Sequence, residues 1–410
     1  MPAIVIGRDE DDLKKYGEEG TIFLGKHLVG TGDDAHLTTP VLLDVLRPHV
    51  ICLTGKRGTG KSFSLGVIAE EISKLPDKIK KNLCCLLVDT QGIFWTMKSP
   101  NEKELPLLNA WGTKPAGFKI TVLIPEGQEK FYSEANVEFD SVFSFKPSEL
   151  SIDDWLNVFG LDVNEPLGIL LQQIMSKMKG EYGLDHIISR ISEQKGFDNE
   201  KLALTNYFGA AKSWGIFGSA QAPEILVPGK ITVLDVSLTP ANVRALLVAL
   251  AGRKLFSERT AARRKEEMAE TEGMTTKRIP MCWILIDEAH NFLPNQGATA
   301  SSEILSKIVR EGRQPGITLV LATQRPNRLD PDALAQCDMI ISHRLTAKED
   351  IESLKAIMQT YLLFDISTYI NELPKLKGVA IVLDDNSERL YKIRVRPRQS
   401  WHAGASPVAV

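Results

Sequence analysis

A mostly parallel α/β sheet covered by helices is the fold that three features of the sequence predict. Buried-strand runs recur along the chain, helical periodicity separates most of them, and one glycine-rich turn joins a strand directly to a helix. At 410 residues and 43% hydrophobic content, the chain can fill a substantial core as one large domain or two ordinary ones. Charged residues make up 25% and the formal net charge is -3, so the whole surface offers no broad basic field for nucleic acid. A DNA partner therefore requires a local stripe or pore. Five cysteines (Cys52, Cys84, Cys85, Cys282, Cys337) lie mostly in or beside apolar runs, without C-x-x-C or histidine spacing, and read as reduced core thiols. The opening residues turn acidic and lack the apolar stretch of a secretory signal. No segment approaches the ~20 apolar residues of a membrane span, so a cytoplasmic protein with no membrane partner is expected.

Residues 1–45 mix short apolar runs with Gly and Asp turns, which predicts a short strand-rich N-terminal extension without a motif of its own. From His49 the pattern changes to a buried strand (HVICLT), a glycine-rich turn (GKRGTGKS) and a helix (FSLGVIAEEISKL). Further strands, NLCCLLVD ending at Asp89 and KITVLI from Lys119 to Ile124, complete a first core part over 46–145. Apolar residues at three- and four-residue intervals between Lys146 and Trp214 predict a helical insertion, bounded at 146–225. A second core part, 226–396, carries KITVLDVS, a long helix from Ala241, CWILID, ITLVLAT, MIISHRL, GVAIVLD and LYKIRVR. The charged later half of the long helix reads as a solvated face, with a DNA-binding stripe as the alternative, and runs into the polar linker TEGMTTKR. Residues 397–410 are expected as a C-terminal tail.

Gly55 to Ser62 satisfies G-x-x-x-x-G-K-[ST] between a strand and a helix, the context in which that pattern cradles phosphates. The fold class is thus α/β with a RecA-like P-loop NTPase core, a mostly parallel central sheet, the helical insertion and the N-terminal extension. Gly55, Arg57, Gly58, Thr59, Gly60, Lys61, Ser62 and Phe63 are the candidate nucleotide-binding residues. Backbone N–H groups and the helix N-terminus face the phosphates, Lys61 contacts the β- and γ-phosphates, and the Ser62 hydroxyl ligates Mg. The apolar strand from Cys282 ends in Asp287 and Glu288, acids that are costly to bury without work to do. Asp287 suits contact with Mg through water, and Glu288 suits activation of the attacking water. An acid directly after the strand-end aspartate favours hydrolysis over transfer to a second substrate, and no guanine-reading motif is evident.

The predicted helix Ile304 to Arg313 carries Arg310 and Arg313 near its end. Both fit helix-terminal cations favoured by the dipole, and either also fits a finger that reaches a neighbouring subunit's γ-phosphate. Gln324, at the end of ITLVLAT, is a candidate γ-phosphate sensor or an ordinary loop glutamine. The flexible segment Asn295 to Ser302 is a candidate pore loop.

These segments, together with VDTQGIFW from Val88, ILIDEAHNFLP from Ile284, REGRQPGITLVLATQRP from Arg310, LAQCDMIISHRLT from Leu334 and VRPRQS from Val395, resemble the HerA branch of the HerA–FtsK ATPases. The resemblance runs from His49 to Ser400. It implies a hexameric ring that translocates on DNA with ATP and Mg, with Arg313 as the trans-acting finger, Gln324 as sensor and Asp89 as an acid near the nucleotide; a strand-end aspartate capping its own turn explains Asp89 as well. It also implies a nuclease or other effector partner, in DNA end processing or antiphage defence. The segment ahead of the phosphate loop is shorter than the family's N-terminal barrel, which implies a truncated or altered docking surface and leaves room for an effector other than the family's usual nuclease. A nucleotide-controlled scaffold for an effector enzyme, or a conjugation or packaging motor, are the alternative functions.

Overall fold

A computed structural model describes residues 2–30, 34–218, 220–274, 278–358, 369–370, 373–374 and 376–404. Parts of the extension (31–33), the linker (275–277) and the tail (405–410) lie outside the described residues. Among those described, thirteen strands join in one sheet: β1 (Ile4–Ile6), β2 (Thr21–Val29), β3 (His36–Asp44), β4 (Val50–Thr54), β5 (Leu83–Asp89), β6 (Ile120–Pro125), β7 (Ser141–Phe143), β8 (Ile231–Asp235), β9 (Met281–Ile286), β10 (Ile317–Thr323), β11 (Met339–His343), β12 (Val379–Asp384) and β13 (Arg389–Val395). Their order is β1-β3-β2-β13-β12-β11-β4-β10-β9-β5-β8-β6-β7.

From β11 to β7 every neighbouring pair is parallel, the arrangement expected of strands buried on both faces and joined by helical crossovers. Alternate residues of each strand enter opposite cores. In β4, Val50 and Cys52 face one side while Ile51 and Leu53 face the other; in β9, Cys282, Ile284 and Ile286 oppose Trp283 and Leu285. Cys52, Cys84, Cys85 and Cys282 are buried within these strands, Cys337 is half-buried, and all five are free.

Helices cover both faces. Lys61–Lys74, directly after the glycine-rich turn, packs Leu65, Ile68 and Ile72 on one side. Ile152–Phe159, Pro166–Met175, Leu184–Ser192 and Asp198–Lys212 pack on the other, around Trp155, Leu171, Ile187 and Phe208. A Ser151–Asp154 capping box starts the first of these four helices, and Gly160 in the left-handed region stops it.

Three features differ from the sequence expectation. The N-terminal extension continues the core sheet, because β2 pairs antiparallel with β13. In the long helix Ala241–Glu272 the charged half is not wholly solvated: Arg259 is buried, donating from Nε to the Pro315 carbonyl and from Nη1 to the Ile279 carbonyl, each at 2.7 Å. The segment expected as a tail begins inside the fold, with Arg398 and Ser400 fully buried.

Candidate active site

The loop between β4 and the helix Lys61–Lys74 turns on Gly55, Gly58 and Gly60, at φ 155°, 78° and 124°. A Cβ on Gly55 would lie 2.6 Å from both the His343 Cβ and the Thr59 Oγ1, so only glycine lets the loop pass β11 at that point. Lys56 N–H donates to the Arg344 carbonyl at 3.0 Å, tying the loop to the end of β11. Arg57 is exposed at the apex, and Phe63 stands edge-on to His402 with ring centroids 5.7 Å apart.

Parallel register brings the remaining groups to this end of the sheet. β10 lies between β4 and β9, with Thr323 level with Thr54 and Leu321 level with Ile286. The ends of three strands therefore present the phosphate loop, Gln324, and the pair Asp287–Glu288 side by side. Ser62 Oγ donates to Asp287 Oδ2 at 2.7 Å. Burial raises the Asp287 carboxyl to about 6, aided by the charge of Glu288 and opposed by the Ser62 hydrogen bond and Lys61. Burial likewise lowers the Lys61 ammonium, while Glu288 and Asp287 favour its charged form. Lys61 Nζ donates to the Lys56 carbonyl at 3.4 Å. A hydroxyl and a buried carboxylate converging on one point form the oxygen donor set that suits Mg, which takes one or two protein ligands and fills the rest with phosphate and water.

Glu288 adopts φ 52°, ψ 46°, the left-handed region, although it carries a side chain. That conformation costs about 1–3 kcal/mol and persists only where the surroundings enforce it; Asn136, Phe197 and Glu388 share its positive φ elsewhere in the chain. Its Oε1 accepts from the Gln324 amide and from Gln91 Nε2, the latter at 3.4 Å. Its Oε2 is buried, with no hydrogen-bond partner among the described residues; His290 Nδ1 lies 3.6 Å away and bonds Thr323 Oγ1 at 3.0 Å. One oxygen is thus fixed by two amides, and the other has no hydrogen-bond partner among the described residues.

Gln91 was not singled out in the sequence, where a loop glutamine carries no local signal. Its placement follows from Asp89, which caps the turn after β5: Oδ1 accepts from the N–H of Gln91 and Gly92, and Oδ2 from those of Ile93 and Phe94, at 2.8–3.0 Å. Asp89 is therefore a turn cap one step removed from the site. Burial, reinforced by the charge of Asp235 level with it on β8, raises its pKa to about 7.

His343 was also missed. Burial lowers its pKa to about 4, so the ring is neutral; its Nδ1–H donates to the Val379 carbonyl at 3.0 Å and Nε2 accepts from Ser64 Oγ at 2.9 Å. It thereby pins the first turn of the phosphate-loop helix to β11.

Two predicted residues lie elsewhere. Arg313 and Arg310 precede β10, at the opposite end of the sheet from Gln324. Seven residues of strand at ~3.3 Å each put Arg313 roughly 23 Å from its own chain's phosphate loop. Arg310 Nε donates to its own helix, to the Ser306 carbonyl at 3.3 Å. In the segment Asn295 to Ser302, residues 295–298 are exposed, while Thr299 and Ser301 donate to the Phe292 carbonyl at 2.7 and 2.8 Å.

The VRPRQS segment, which carried no assigned role in the sequence, grips the phosphate-loop helix. Glu70, fully buried, accepts from Arg396 Nη2 at 2.8 Å, Arg398 Nε at 3.3 Å, the Gln399 N–H at 3.1 Å, and Ser400 N–H and Oγ at 3.0 and 2.5 Å. The Arg398 guanidinium lies over Gly66, where a Cβ would meet Cζ at 2.7 Å.

Residues 22–251 match the family described as helicase HerA, central domain, and residues 235–345 match the ATPase family associated with various cellular activities. The DNA double-strand break repair helicase HerA of Sulfurisphaera tokodaii is 22% identical over 329 residues, 80% of this chain and 60% of that protein. Its namesake in Saccharolobus solfataricus is 23% identical over 333 residues, with the same 80% and 60% shares. The chain thus spans about 60% of the length of these relatives. VirB4 of Thermoanaerobacter pseudethanolicus superposes with a TM-score of 0.56 at 12% identity, covering 93% of this chain and 97% of the other. The bacterial conjugative coupling protein TrwBdeltaN70 gives 0.54 at 12% identity, covering 93% and 96%. At such identities these two structures speak for the fold alone.

Proposed function

The chain belongs to the helicase HerA central-domain family, and from that premise we propose that it is an ATPase subunit of a ring, hexameric as in the resemblance, that uses hydrolysis to translocate on or unwind double-stranded DNA. The observation that carries this reading is the meeting of Lys61 and Ser62 with Asp287 and Glu288 across β4, β10 and β9, with Gln324 on Glu288.

In this mechanism the loop N–H groups and Lys61 hold the triphosphate. Ser62 Oγ and Asp287 would hold Mg, which when bound would supply positive charge against the phosphate oxygens. Glu288 Oε2 accepts the proton of the attacking water while Gln324 and Gln91 keep Oε1 fixed. Arg313, too far from its own site, reaches the adjoining protomer's γ-phosphate and stabilises charge in the transition state, a role worth 10³–10⁵ in kcat.

The name of the relatives, double-strand break repair helicases, supports DNA as the substrate and DNA end processing as the setting. An effector such as a nuclease is the expected partner, in repair or antiphage defence, in the cytoplasm. No helix among the described residues is long and apolar enough to cross a membrane. The test is ATPase activity with and without linear duplex DNA at low salt, alongside displacement of a DNA-bound obstacle. Stimulation by DNA and ATP-driven displacement are expected; hydrolysis indifferent to DNA, with no DNA binding, would refute the motor and leave the ATPase.

A further inference from the structure

Beneath the sheet, at the end opposite the nucleotide site, five side chains alternate in charge. Arg8 Nε donates to Asp44 Oδ1 at 2.7 Å; His49 Nε2 meets Asp44 Oδ2 at 3.2 Å and its Nδ1 meets Asp338 Oδ2 at 2.8 Å; Arg313 Nη2 lies 3.2 Å from that same Oδ2. The first four are buried, their side chains at most 5% exposed, whereas that of Arg313 is 60% exposed. Burial disfavours the His49 imidazolium, but Asp338 and Asp44 prevail and raise its pKa to about 9, so both ring nitrogens donate. The other Asp338 oxygen accepts the Val50 N–H at 2.8 Å, which locks the carboxylate to the start of β4. Gly7, at φ +83°, leaves room for the imidazole: a Cβ there would lie 3.0 Å from His49 Cε1.

Burying four ions is expensive unless they pair well, and replacing such groups by apolar ones is often neutral or stabilising. None of the five touches the nucleotide site of this chain. The chain of charge ends on an exposed arginine, and among the described residues that guanidinium makes one ion pair, to Asp338. A cleft of about 280 Å³, lined by Asp9, Asp12, Arg47, His49, Asp338 and Arg313, leaves its outer side open.

We infer that Asp338 is the positioning residue for Arg313: it grips the guanidinium through one nitrogen, at the protomer edge, so that the other N–H groups are presented to the neighbouring protomer's triphosphate. His49, Asp44 and Arg8 fix Asp338 in turn, which ties the N-terminal strands to catalysis next door. The inference rests on the reading of Arg313 as a trans-acting finger. A displacement of about 1 Å at a reacting group can cost 10²-fold in rate, so loosening the finger should lower kcat while leaving ATP binding to the protomer's own loop intact.

The experiment compares Asp338→Asn with Arg313→Ala, each alone and mixed with Lys61→Ala protomers, which have a dead site but an intact finger. Asp338→Asn should lose about 10–100-fold in kcat with KM within about threefold, and mixing should restore part of the activity, as it should for Arg313→Ala. The Asp338→Asn, Arg313→Ala double variant should be no worse than Arg313→Ala. Rescue of Arg313→Ala but not of Asp338→Asn overturns this inference alone; failure to rescue Arg313→Ala overturns the trans site beneath it. Full or raised activity of Asp338→Asn overturns it as well, the latter by making the ion pair a restraint. Should Asp338→Asn not fold, His49→Gln should give a smaller kcat loss, about threefold, that mixing with Lys61→Ala protomers likewise rescues, and its absence refutes the inference.

Discussion

Replacing Glu70 by Gln removes one negative charge from a buried cluster and keeps the shape of the side chain. The carboxylate accepts from five donors, and both arginines it serves are fully buried. Breaking a buried ion pair by deleting one partner costs about 3–5 kcal/mol, because a charge is left uncompensated. Arg396 retains Glu71 at 2.7 Å, whereas Arg398, among the described residues, keeps hydrogen bonds to Ser400 Oγ and His402 and the face of Phe94 but no carboxylate, so the lower end, about 3 kcal/mol, is expected. The assay is urea unfolding followed by tryptophan fluorescence, with ATP affinity measured beside it. The denaturation midpoint should fall, and affinity should weaken, since Glu70 lies on the helix that opens with Lys61 and Ser62. Adding Arg398→Met to Glu70→Gln should recover part of the stability by removing the stranded charge. A loss below about 1 kcal/mol, or a double variant no more stable than Glu70→Gln alone, would refute the reasoning.

Glu288→Gln should bind ATP with near-normal affinity and lose about 10²–10⁴ in turnover, since an amide cannot take the water's proton; near-normal hydrolysis in a steady-state assay would reassign the base. Gln91→Ala should lower kcat about tenfold with KM little changed, because Glu288 Oε1 keeps Gln324; equal effects on kcat and ATP affinity would contradict a role confined to orienting Glu288. Stability should depend on pH through His49: its folded pKa is about 9 against 6.5 unfolded, so its contribution of about 3 kcal/mol is complete below 6.5 and disappears as pH rises through 9. Unfolding midpoints from pH 6 to 10 should fall over that window, and His49→Gln should flatten the fall.

The local half of this site was readable in the sequence because its signals are local. Gly55, Gly58 and Gly60 announce a turn that other residues cannot make, and the apolar run ending at Asp287 and Glu288 marks a strand terminus. What escaped notice depends on pairing across long separations. Glu70 looks like a solvated helix residue until Arg396, 326 positions later, is brought against it. Gln91 acquires meaning only when β5 is laid beside β9, and the role of the N-terminal strands only when β2 meets β13. Arg313 stands out in the sequence as one of two helix-terminal cations, whereas its partner Asp338 lies unmarked within the family-like run LAQCDMIISHRLT and is brought to it only by the fold.

Both margins of the sheet are three-residue strands, β1 and β7. Brevity there withholds the long unpaired backbone that lets sheets stack edge to edge into aggregates. Copies of this chain therefore offer one another little ladder to extend, which leaves recognition between copies to side chains, where contact is selective.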